Sequence, residues 1–192
     1  MRQKLMLIVL ALVALAASAA LAATDNDSHT VTITVNEVAM IRVNGANDVS
    51  FTIGAPTTDG DAFLVTPANA DAKWLQYTSI VPTDSTYKRT IQVDLASGSG
   101  SIPAGTTLNV MPSAPAGVGK GNRGNQVGSA VAISGTAADV VTDVRSCYTG
   151  MAATGGVQLT YSLEINNGEE GLLYSPTSAY TPVVRYTLTS AE

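Results

Sequence analysis

TVTITVNEVAMIRV, residues 30–43, carries Val31, Ile33, Val35, Ala39, Ile41 and Val43 at its odd positions and Thr, Asn or Arg at most of its even ones. Alternation with period two places one set of side chains on a single face of a β-strand. Extended at roughly 3.3 Å per residue, the stretch would reach about 46 Å, whereas an ordinary strand spans about 17–20 Å. One strand of a small β-domain cannot use that length. Either the chain breaks near Asn36-Glu37 and serves two strands, or its first half leaves the domain.

The residues before it read as a secretory signal. Arg2 and Lys4 form a basic start, Leu5 to Ala17 an apolar centre, and Ala20-Leu21-Ala22 a small-x-small cleavage site. The apolar run is too short and wrongly flanked for a spanning helix. Three divisions are expected: 1–23 as signal peptide, 24–36 as an N-terminal extended segment, and 37–192 as a β-sandwich domain. No cysteine follows the apolar run to accept a lipid, no later segment resembles a membrane span, and the C-terminus carries no anchoring signal. The expected location is secreted, extracellular or at the cell surface (the periplasm in transit), with no membrane association after cleavage.

Loss of Arg2 and Lys4 would move the formal charge from −5 to −7. An acidic chain with scattered cations argues against nucleic-acid binding. Sparse charge with abundant Thr, Ser, Ala, Val and Gly suits strands and turns better than helices. The single cysteine, Cys147, allows no intramolecular disulfide and reads as a small buried apolar residue.

Along the chain, Val49 to Ile53, Lys73 to Val81, Tyr87 to Leu95, Thr107 to Met111 and Val127 to Ser134 are predicted as short strands, and Ala62 to Val65 is a brief apolar run before the loop Thr66 to Asp71. The clearest alternation is Val157, Leu159, Tyr161, Leu163 and Ile165, closed by the Asn167-Gly168 turn. Val183 to Thr189 is the last strand. Pro112 to Gly128, with five glycines and two prolines, reads as a long mobile loop. Gly135 to Tyr148 is ambiguous: Ala137, Val140, Val141 and Val144 have helical spacing, while the Val and Thr content favours strand, and a crossover is expected. The predicted fold is all-β, an antiparallel β-sandwich with Ig-like or Greek-key connections and eight to nine short strands. A closed barrel is the alternative.

No residue set carries chemistry, so no enzyme and no cofactor are expected. His29, the single histidine, lies on the N-terminal segment and cannot preorganise a Ser-His-Asp triad or a Cys147 dyad. Zinc ligands are lacking. Gly119 to Gly124 matches Gly-x-Gly-x-x-Gly, but prolines precede it and a strand pattern follows, where a dinucleotide site needs a helix N-terminus. It reads as an exposed hairpin loop with local positive charge from Lys120 and Arg123. Asp25-Asn26-Asp27, Asp59-Gly60-Asp61 and Asn166 to Glu170 could offer oxygens to calcium, yet none has EF-hand spacing, and they read as solvated turns. Trp74 and Tyr77 are assigned to the core or a strand surface rather than to a glycan platform.

The alternating segment directly after a signal, followed by a Thr/Val/Gly-rich β-domain, resembles donor-strand fibre subunits such as chaperone–usher pilins and camelysin-type biofilm fibre proteins. The motif that carries the resemblance is the alternation of residues 30–35. The paired cysteines common in chaperone–usher pilins are missing. The resemblance implies a structural subunit that self-associates into filaments by β-strand addition, with Val31, Ile33 and Val35 as the donor-strand interface residues. The alternative is a monomeric secreted β-sandwich binding module for a carbohydrate or surface protein, with Pro112 to Gly128 at the contact.

Overall fold

The computed structural model describes residues 27–45, 48–83 and 86–192. The expected signal segment and Asp25-Asn26 lie outside them. The chain divides into two units, one ending at Val35 and one beginning at Asn36. Among the described residues, all the strands lie in the second unit.

In chain order these are β1 (Val38–Asn44), β2 (Thr52–Gly54), β3 (Leu64–Thr66), β4 (Ala70–Ile80), β5 (Arg89–Leu95), β6 (Thr106–Pro112), β7 (Lys120–Gln126), β8 (Val131–Ala132), β9 (Ala138–Tyr148), β10 (Val157–Ile165) and β11 (Val184–Leu188). A single 3-10 turn, Glu170–Leu172, is the one helical element among the described residues. The pairings are all antiparallel. The fold is therefore the all-β, antiparallel one that the alternating patterns dictate, with eleven strands among the described residues where eight or nine were expected.

Nine strands form one ladder in the order β11-β5-β9-β4-β10-β6-β8, with β1 paired to β4 and β7 to β9; β2 and β3 make a separate hairpin. β4 is the organising strand. Its second half pairs with β1 on one edge, from Val38 opposite Ile80 to Asn44 opposite Trp74. Its other edge takes β10 at the start, with Leu75 opposite Val157, and β9 at the end, with Thr78 opposite Tyr148.

The ladder turns back over a shared core. β10 and β11 lie four strand steps apart, about 19 Å if the sheet were flat, yet the Tyr161 and Tyr186 hydroxyls are 2.8 Å apart. On the opposite side the Leu95 amide at the end of β5 donates to the Ser134 carbonyl just past β8 at 2.8 Å. Leu75, Tyr77, Ile91, Val93, Leu108, Val110, Val140, Val141, Val144, Val157 and Leu159 belong to one buried cluster. Cys147 joins this core, buried as expected.

Three stretches differ from the sequence expectation. Residues 120–126, read as part of a mobile loop, form β7 and pair with β9 from Lys120 opposite Tyr148 to Gln126 opposite Val141. Glycine makes this possible. Gly121 and Gly124 take positive φ of 83° and 79°, and a Cβ at Gly119, Gly121 or Gly124 would sit 2.2–2.5 Å from carbonyl oxygens of β9. The Gly-x-Gly-x-x-Gly spacing thus marks a strand that lies hard against its neighbour. Residues 138–148, expected as a crossover, are the eleven-residue strand β9. Register shifts against β5 and β7, and a positive φ of 62° at Asp143, turn Val140, Val141, Val144 and Cys147 all inward. Bulges reproduced a helical spacing on an extended strand. The Val127 to Ser134 strand shrinks to β8.

Burial sets a pH limit on this core. It raises the pKa of the Tyr77, Tyr161 and Tyr186 phenols, making them weaker acids, with desolvation the largest cause in each. Tyr161 and Tyr186 are also linked to each other. Below about pH 10 these phenols are neutral in both folded and unfolded chains. Above it the unfolded chain loses protons that the folded chain keeps, so stability falls as pH rises, by about 1.4 kcal/mol per pH unit per tyrosine. Urea midpoints are expected to be unaffected by these tyrosines to about pH 9.5 and to drop steeply beyond, less steeply in Tyr186→Phe.

Candidate assembly surface

The three residues singled out in the N-terminal segment are all open to solvent. Val31 is 67%, Ile33 81% and Val35 73% exposed, and no ladder runs through residues 27–37. Each is β-branched and suited to a strand. Leaving each in water forgoes about 1.5–3 kcal/mol of burial. The intervening Thr30, Thr32 and Thr34 are exposed too. His29 is exposed, and no group of three His, Cys, Asp or Glu side chains among the described residues is placed to share a metal ion.

The root of β1 is fixed by a buried cation. Arg89, at the start of β5, pairs with the Glu37 carboxylate and donates from Nη1 to the Thr189 carbonyl at 2.8 Å. Arg89 therefore links the residue before β1 to the chain just past β11. Neither set of bonds is a sheet pairing, so sequence periodicity gave no sign of it. Arg89→Ala is expected to cost roughly 1.5–3 kcal/mol, the range for hydrogen bonds to a charged group. Glu37→Gln should cost less, because Glu37 is half exposed and the amide can still accept. Urea denaturation of the two variants checks the order.

Four strands of the main ladder end with one edge unpaired: β1, β7, β8 and β11. Such edges present free backbone donors and acceptors to any chain that can align with them. β1 is the most apolar of these on its exposed surface, with Met40 66% and Val43 46% exposed. On the outer side of the sheet, Met40 of β1 stands in one row with Thr78 of β4 and Tyr148 of β9. The small Thr78 between two large side chains leaves a trough of about 460 Å³, lined by Met40 and Arg42 on one side, Gln76 and Thr78 below, and Tyr148 and Met151 opposite. Gln76 fixes its far wall. Its Oε1 accepts from Arg42 Nε at 2.8 Å, while its Nε2 donates to the Ala152 and Gly155 carbonyls at 2.6 and 3.0 Å. The trough holds no nucleophile–base pair; its chemistry is apolar contact with one tethered cation. Sequence reasoning missed it because Met40 and Tyr148 lie about a hundred residues apart, and only the strand order makes them neighbours.

Among the described residues no helix is long and apolar enough to cross a membrane. No family model matches the chain, and comparison with known proteins and with solved structures returns no match.

Proposed function

We propose that this chain is a non-enzymatic, exported structural subunit of an extracellular fibre or surface appendage, joined to its neighbours by addition of the N-terminal segment as a β-strand. One observation carries the reading: Val31, Ile33 and Val35 keep a strand's alternation while lying open to water. Three apolar side chains in register, on a backbone with no ladder partner, gain both burial and hydrogen bonds when a second copy supplies an edge. A head-to-tail contact of this kind does not close on itself and extends into a filament. Export rests on the Arg2, Lys4 and Ala20-Leu21-Ala22 signal pattern.

Size exclusion of the processed protein, with electron microscopy of the high-mass fraction, tests the proposal. Fibres are expected, lost in Ile33→Asp and kept in Thr32→Asp, since only the odd positions carry apolar side chains that assembly would bury. Equal tolerance of both changes would count against strand addition. The trough beside Tyr148 favours a second reading, a monomeric exported binding module. A protein that stays monomeric at every concentration and binds an apolar peptide or glycan there would support that instead.

A further inference from the structure

Resting on the assembly reading, we infer that the acceptor for the N-terminal segment of a second copy is the free edge of β1, rather than those of β7, β8 or β11. The four edges differ in what they offer. β8 is two residues long, about 7 Å, and cannot align with the six residues 30–35. β7 reads Lys-Gly-Asn-Arg-Gly-Asn-Gln and has no apolar side chain to form pockets. β11 has five residues; its Val184, Tyr186 and Leu188 already pack on the core, and the Tyr186 hydroxyl is bonded to Tyr161. β1 has seven residues, enough for the six of the donor; it lies beside β11 without pairing with it, and keeps apolar side chains uncovered on both faces.

Charge agrees with this choice. Residues 30–36 are uncharged, and the only charge within β1 is Arg42, whose Nε donates to Gln76. A ladder between them brings that one tethered cation to the contact, whereas β7 would bring two, Lys120 and Arg123; β11 offers no contrast of this kind, since its Arg185 is paired with Asp94. The pattern agrees as well. Donor and acceptor are halves of one alternating stretch with apolar residues at odd positions, so odd beside odd extends one apolar face through Ile41 and Val43. Thr32 and Thr34 then lie on the outer face with Met40.

Cross-linking between separately tagged full-length chains tests the inference without touching the core. One chain carries Thr32→Cys or Thr34→Cys, the other Met40→Cys on β1, Thr187→Cys on β11 or Asn122→Cys on β7; unaltered chains containing Cys147 alone set the background. Under mild oxidation the mixed-tag disulfide is expected at least about fivefold more with Met40→Cys than with either alternative. A higher yield at Thr187→Cys or Asn122→Cys, in chains that still form fibres, overturns the β1 acceptor and leaves the assembly reading standing. Monomer by sedimentation, with no mixed product at any position, overturns both. Met40→Lys adds a second readout: about tenfold more protein should be needed for assembly at an unchanged melting temperature, and unaltered assembly would contradict the inference.

Discussion

Gly156→Ala is expected to destabilise the domain by roughly 2–5 kcal/mol, lowering its melting temperature by on the order of 10 °C. Gly156 has φ of +103°, where an L side chain is strained, and a Cβ there would lie 2.2 Å from the Leu75 carbonyl oxygen. Leu75 is wholly buried on β4, so the carbonyl has little freedom to retreat. Gly156 also exchanges backbone hydrogen bonds with Ala116 at 2.8 and 3.1 Å, and displacement would loosen the approach to β7. Gly121→Ala should behave alike, with φ of +83° and a Cβ 2.2 Å from the Ser146 oxygen. Gly128→Ala is the control. Nothing lies within 4 Å of its Cβ position, and a change within about 0.5 kcal/mol is expected. Thermal melts of the three variants decide whether close strand approach, rather than glycine content as such, holds this part of the fold.

A chain shortened to begin at Glu37 should keep its stability to within about 1 kcal/mol and lose assembly altogether. The shortened form retains Glu37 and its pairing with Arg89, all eleven strands and the whole core. What it loses is Val31, Ile33 and Val35, which are open to solvent. Removal of a core strand would instead cost several buried side chains at about 1.5–3 kcal/mol each. Melting and assembly measured side by side therefore separate an interface segment from an internal strand: unchanged melting with lost assembly fits the former, and a large fall in melting temperature fits the latter.

How far the fold was legible varied with local regularity. Val157 to Ile165 alternates without interruption and became β10 over those residues. The first stretch breaks where its length demanded, with β1 starting at Val38. β9 and β7 were misread because bulges and glycines suspend the rule that neighbouring side chains point to opposite faces. The paired bulges put Val140 and Val141 on the same side, which no period-two reading anticipates. The exposed trio in the N-terminal segment was named from alternation alone. The trough was not, since Met40, Thr78 and Tyr148 meet only through the order β1-β4-β9, and the Arg89 link joins the ends of β1 and β11, which do not pair with each other.

Amide hydrogen exchange at residues 30–35, measured on the high-mass fraction and on monomer released from it, addresses the central claim most directly. Exchange slowed by about a hundredfold or more in the assembly and fast in the monomer is the expected result, because those amides find their acceptors only in another copy. Equal protection in the lone chain, or fast exchange within the fibre, would contradict it.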